Sequence, residues 1–280
     1  MSAIVLTPGG RSSDACKICK MTKQSRILLA LLLSGLLGLI TYEMVRTREP
    51  MYHGKSFRAW LEKATAAGPM SVADTNCVQA LQQFGATTVP TLLEMVRVTD
   101  SPLKHAWINL VRAQSLISVH LHTADEYHDM ACFGFYALGP VGKEAVPELL
   151  ALLDGTNQDV SAVAITCLGN IGPEANSAVP HLIRFMNDPD RIVRFGTTVT
   201  LSRIHMRPEL VVPVLVTNLS PTNAILPTTI NALAAFGEAA KPAVPILLTL
   251  LNQENDYVRE ATTNALKAID PEAAAKAGVE

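Results

Sequence analysis

Apolar residues recur along this chain at helical spacing, and five times they do so at the same offsets behind a Val-Pro pair. The prolines are Pro90, Pro147, Pro180, Pro213 and Pro245, each followed at +2, +3 and +6 by apolar side chains. These are Leu92, Leu93 and Val96; Leu149, Leu150 and Leu153; Leu182, Ile183 and Met186; Leu215, Val216 and Leu219; and Leu247, Leu248 and Leu251. Residues so spaced share one stripe of a helix. Proline is tolerated in the first helical turn, where its missing N–H would have had no partner, so each Val-Pro predicts the start of a second helix after a tight turn. The end of a first helix precedes it: Ala80-Leu81 with Phe84-Gly85, Ala137-Leu138-Gly139, Cys167-Leu168 with Gly172, and Ala232-Leu233 with Phe236-Gly237. The glycines suit C-terminal caps, where a positive φ is needed.

Successive prolines stand 57, 33, 33 and 32 residues apart. A period in the thirties built from helix pairs predicts an all-α solenoid of about five to six pairs. The clearest unit reads Ala164-Ile165-Thr166-Cys167-Leu168-Gly169-Asn170-Ile171-Gly172-Pro173-Glu174-Ala175, then Ala178-Val179-Pro180-His181-Leu182. It resembles the HEAT repeat, specifically the short bacterial repeats related to those of phycobilisome lyases, over residues 72–280. The resemblance implies stacked helix pairs with a long concave face and carries no single activity. Some HEAT-like proteins are metal-dependent hydroxylases whose His-Glu pairs bind iron; this chain contains no His-Glu dipeptide.

Ahead of the repeats the pattern changes. Residues 27–42 carry no charge and follow Lys17, Lys20, Lys23 and Arg26. Carried on to Val45, the segment makes about 28 Å of helix, close to the hydrocarbon thickness of a bilayer. The expected organisation is a basic tail over 1–26, a single transmembrane anchor or uncleaved signal over 27–45, a linker and capping helix over 46–71, and the solenoid over 72–280. Basic residues number five on each side of the anchor, so the positive-inside count is even. A short leading tail usually stays inside, which places the solenoid outside the cytoplasmic membrane; cleavage as a signal peptide and secretion is the alternative. Met21 offers a second start codon. In the linker, Ser56 is expected to N-cap a helix with Phe57, Trp60, Leu61 and Ala64 on one face. Its Gly54-Lys55-Ser56 is not a phosphate-binding loop, because Glu49 stands where that motif needs glycine.

Charge sharpens the division. Residues 1–70 hold ten Lys+Arg and four Asp+Glu, whereas residues 71–280 hold 13 and 21. An acidic array repels a phosphate backbone, which argues against nucleic acid and for basic partner surfaces. Of the five cysteines, Cys77, Cys132 and Cys167 fall in predicted helices, and Cys167 takes a slot filled by alanine in other units. Cys16 and Cys19 form a CxxC without the second pair a zinc site needs.

The long first interval holds about 24 extra residues, with an additional helix expected over 103–116. Its polar end groups His120, His122 and His128 with Asp125, Glu126 and Asp129, residue types that can supply nitrogen and oxygen metal ligands. The same residues read as a helix start, since Thr123 and Glu126 have capping-box spacing and acidic residues suit a first turn. Asp190 with Arg194, and Asp256 with Arg259, are expected as helix-surface ion pairs. His181 is expected exposed and His205 in a turn. No catalytic constellation stands out and no cofactor or metal is called for. The expected function is a membrane-anchored, non-enzymatic scaffold for protein partners; the alternative is a lyase-like or metal-dependent enzyme using the 99–130 insertion.

Overall fold

The computed structural model describes residues 50–66, 75–104 and 122–279, with isolated positions 33, 34, 106 and 108. Met1–Glu49 and Pro50–Glu280 are separate compact units, and the elements that follow belong to the second. The anchor expected over 27–45 lies outside the described residues except for Leu33 and Ser34. No helix among the described residues is long and apolar enough to cross a membrane.

A two-residue hairpin opens this unit, β1 (Met51–Tyr52) pairing antiparallel with β2 (Lys55–Ser56). Its turn residues His53 and Gly54 both have positive φ, as a twisted two-residue hairpin loop requires. The linker helix follows as expected. In α1 (Phe57–Thr65), Ser56 accepts a hydrogen bond from the Ala59 amide, and Phe57, Trp60, Leu61 and Ala64 are the buried face. The Trp60 indole donates to the Tyr52 carbonyl at 3.0 Å, which fixes the hairpin to the helix.

Among the described residues, six helix pairs then stack. They are α2 (Thr75–Phe84) with α3 (Val89–Val96), α4 (Ala124–Leu138) with α5 (Val146–Leu153), and α6 (Gln158–Ile171) with α7 (Val179–Ile183). The remainder are α8 (Arg191–Ile204) with α9 (Pro208–Thr217), α10 (Leu226–Ala235) with α11 (Val244–Leu250), and α12 (Asp256–Ile269) with α13 (Pro271–Lys276). First helices pack on first helices in sequence order, each of α4, α6, α8, α10 and α12 against its predecessor. One apolar core runs continuously from Phe57 to Ala274. The expected solenoid is therefore present.

Between first and second helices the turn is longer than the sequence suggested. Starting at the positive-φ glycines Gly139, Gly172 and Gly237 the chain runs through seven residues of 3-10 helix before the second helix begins. Its last alanine, Ala145, Ala178 or Ala243, is fully buried in every case. Only a side chain this small lets the connector lie against the core, and the connectors beginning at Gly139 and Gly172 pack on one another. Pro90, Pro147, Pro180 and Pro245 occupy first-turn positions of their helices.

Pro213 does not, which corrects the reading of the fourth unit. It lies inside α9, because Pro208 five residues earlier starts that helix. The turn before it has no glycine; His205 and Arg207 themselves take left-handed conformations, at φ 52° and 55°. Where the first interval is long, Pro102, Leu103 and Lys104 begin a helix, and most of the expected 103–116 segment lies outside the described residues.

Candidate protein-interaction surface

In the described part of the insertion's polar cluster, several side chains serve helix construction. Thr123 caps α4: its hydroxyl accepts from the Glu126 amide at 3.2 Å, while the Glu126 carboxylate accepts from the Thr123 amide at 3.0 Å. Asp100 adds a second cap from the preceding loop, accepting from the Ala124 amide at 2.8 Å and pairing with Lys104 at 2.5 Å. His128 is buried, with Nε2 2.9 Å from the Val98 carbonyl. His122 instead lies 3.7 Å from the Glu62 carboxylate of α1 and 5.3 Å from the Tyr127 ring. The two imidazoles thus have different partners, and His120 lies outside the described residues. Burial, followed by the neighbouring Asp125 charge, raises the Asp129 carboxyl above its ordinary range. Among the described residues, no three His, Cys, Asp or Glu side chains are placed to hold a metal ion.

Polar contacts do link one pair to the next. Asn170 of α6 donates to the Cys132 carbonyl of α4 at 2.8 Å, and Arg203 of α8 donates to the Asn170 amide oxygen at 2.6 Å. The buried Thr200 hydroxyl of α8 donates to the Ile165 carbonyl at 2.9 Å. Along the second helices, Arg97 pairs with Glu148 at 2.5 Å, and Arg184 pairs with Asp154. The hydrogen bond from Arg184, reinforced by its charge, holds the Asp154 carboxyl below its usual range.

The two expected helix-surface ion pairs divide. Arg259 pairs with Asp256 as expected. Arg194 does not reach Asp190; it donates to the Asp188 carbonyl at 2.7 Å and the Pro189 carbonyl at 3.0 Å. Asp190 is occupied as the N-cap of α8, accepting from the Ile192 amide at 2.8 Å. Arg259 makes the same two loop contacts, to Gln253 and Glu254, so both arginines clamp the turn that precedes their helix. His181 is exposed and His205 ends α8, as expected.

One surface feature went unread in the sequence. The starts of α8 and α10 and the loop between α9 and α10 enclose a cleft of about 300 Å³ lined by Arg191, Ile192, Phe195, Ala224, Ile225, Pro227 and Thr228. Ile192 is 71% exposed and Phe195 48% exposed. The two side chains leave apolar surface open at the cleft. From Leu210 to Phe236 the chain carries no charged residue at all, so one wall of the cleft is neutral.

A family model described as HEAT repeats matches residues 146–226. The match runs from α5 through the third and fourth pairs to the first residue of α10. A comparison with curated proteins gives no match. Among solved structures, a crystal structure of Kap121p is similar with 18% identity and a TM-score of 0.47, covering 79% of this chain and 26% of that one. A second, the karyopherin Kap121p bound to the extreme C-terminus of the protein phosphatase Cdc14p, has 17% identity and a TM-score of 0.47 over 78% and 26% of the two chains. A third, the karyopherin Kap121p bound to the SUMO protease Ulp1p, has 20% identity and a TM-score of 0.48 over 73% and 23%. The chain thus spans about a quarter of the length of these solved chains.

Proposed function

We propose that this HEAT-repeat array is a non-enzymatic scaffold that binds a protein partner and is held at a membrane by residues 27–45, with the solenoid on the extracytoplasmic side. The observation that carries the binding role is the open cleft at Ile192 and Phe195, which leaves apolar area exposed on an otherwise acidic array. With Arg191 as its one charged lining residue and a neutral wall, the cleft favours an apolar side chain on the partner. Anchoring is supported by the uncharged run from Ile27 to Tyr42 behind a cluster of lysines. A likeness to phycobilisome-lyase-type repeats is our reading of the sequence motif alone, and the described part of the insertion is engaged in capping α4 and packing against Val98.

Crosslinking in intact membranes followed by capture of the full chain tests both parts. A partner captured with the parent chain and lost with Ile192→Asp/Phe195→Asp, at unchanged thermal stability, supports the scaffold reading. Equal recovery with both chains refutes the cleft as the docking place. Protease added to sealed cells or spheroplasts should reach the solenoid; protection of the array until the membrane is broken overturns the topology.

A further inference from the structure

Three cysteines in predicted helices had no evident relation to each other in the sequence. In the fold two of them meet. Cys132 lies on α4 and Cys167 on α6, and their Sγ atoms are 3.9 Å apart, both as free thiols. Cys167 is fully buried, whereas Cys132 is half-buried. The backbone between them is already fixed, because Asn170 of α6 donates to the carbonyl of Cys132 itself. A disulfide requires the sulfurs to approach from 3.9 Å to about 2.05 Å.

We propose that Cys132 and Cys167 are a dithiol–disulfide pair that covalently joins the second and third helix pairs when the protein meets a disulfide oxidant. The Cys132 thiolate attacks one sulfur of the oxidant, forming a mixed disulfide and expelling the oxidant's other sulfur as thiolate. Cys167 then attacks the Cys132 sulfur, the second oxidant thiol leaves, and the Cys167 proton passes to the departing sulfur. Two electrons have moved from the cysteine pair to the oxidant, which ends as two thiols. The order follows from access. Burial raises the Cys167 thiol well above its ordinary pKa, so it resolves the mixed disulfide and does not initiate attack. The pair stands whatever protein the array binds; the extracytoplasmic reading supplies only the compartment in which such an oxidant persists.

The test treats the folded full chain with glutathione disulfide, quenches in acid, alkylates the denatured protein with N-ethylmaleimide and maps the peptides. The expected result is loss of both alkylatable thiols, a peptide joined through Cys132 and Cys167, and a thermal midpoint raised by a few degrees and restored by dithiothreitol. Cys77→Ala leaves the joined peptide unchanged. Cys167→Ala, which puts the alanine of other repeats into that slot, stops the reaction at a glutathione adduct on Cys132. Two outcomes overturn the proposal: an adduct that stays on Cys132 while Cys167 is fully alkylated in the parent chain, or no adduct on Cys132 in Cys167→Ala.

Discussion

Gly169 allows α6 and α8 to approach closely, and its replacement by alanine is the sharpest test of how this array is packed. A Cβ at Gly169 would lie 2.7 Å from the Thr200 hydroxyl oxygen, 3.0 Å from the Thr200 Cα and 3.2 Å from its Cβ. Rotating the hydroxyl away does not solve the conflict, since the backbone of Thr200 is itself in the way and α8 as a whole must shift. The hydroxyl is also committed, donating to the Ile165 carbonyl from a buried position. Losing that bond costs about 1–3 kcal/mol, and overpacking of this kind about 1–3 kcal/mol. Alanine in a helix interior returns about 1 kcal/mol relative to glycine. The two penalties share part of one displacement and together come to about 2–4 kcal/mol, so the net destabilisation is about 1–3 kcal/mol. In a unit of this size that lowers the melting temperature by about 2–4 °C per kcal/mol. Urea denaturation of Pro50–Glu280 followed by circular dichroism reads it directly. In a Thr200→Ala background the same substitution should cost at least about 0.5 kcal/mol less, the coupling expected of residues that touch. A neutral or stabilising Gly169→Ala, or an equal cost in both backgrounds, refutes the proposed packing.

Asn170→Ala removes both links of the α4–α6–α8 chain and should destabilise by about 1 kcal/mol, measured in the same urea titration. Arg207→Gly should stabilise by about 1 kcal/mol, because Arg207 holds a left-handed conformation that glycine adopts freely; an unchanged melting temperature would contradict the strained turn. Asp129 titrates above its ordinary range in the folded protein, so the native state binds this proton more tightly than the unfolded chain. Stability from this group is present below the unfolded pKa and is lost as pH rises through the folded one; Asp129→Asn should therefore raise stability at neutral pH, with the gain fading below about pH 4. The Arg184–Asp154 pair has the opposite sign, its contribution being present at neutral pH and lost as acid protonates Asp154 through its depressed pKa. Arg184→Ala should remove that acid-side loss, read from melting temperature against pH.

Much of the architecture was legible because proline, glycine and apolar spacing act locally. Val-Pro places a helix start, a following stripe of leucines buries one face, and Ser56 or Thr123 caps what comes next. Pro213 shows the limit of that logic. Two prolines compete within six residues, and the earlier one wins because the turn before it is closed by His205 and Arg207 in left-handed conformations, which no residue-type rule anticipates. Arg194 shows another: spacing on a helix suggested Asp190 as partner, yet the N-cap had a stronger use for that carboxylate. The Cys132–Cys167 approach depends on the register between neighbouring helices, and only the stacked fold sets it. Ile192 and Phe195, three positions apart, form as good an apolar stripe as Val193 with Thr197, Leu201 and Ile204. Packing of α8 on α6 and α10 decides which stripe is buried.

That choice has a consequence for the cleft. The first four pairs are tied by Arg97 with Glu148, Arg184 with Asp154, Asn170 with Arg203, and Thr200 with Ile165. The fourth and fifth pairs meet through apolar side chains and through the ring of His205 stacked on Phe236 at 5.1 Å. Apolar contact is non-directional, whereas a hydrogen bond or ion pair fixes distance and angle. The boundary between α8 and α10 can therefore slide at smaller cost than those before it, and this boundary forms the walls of the cleft. An apolar side chain inserted between Ile192, Phe195 and Pro227 would add to the same kind of packing that already holds the two pairs together. Its binding should weaken little with added salt, while the ionic links between the earlier pairs are screened.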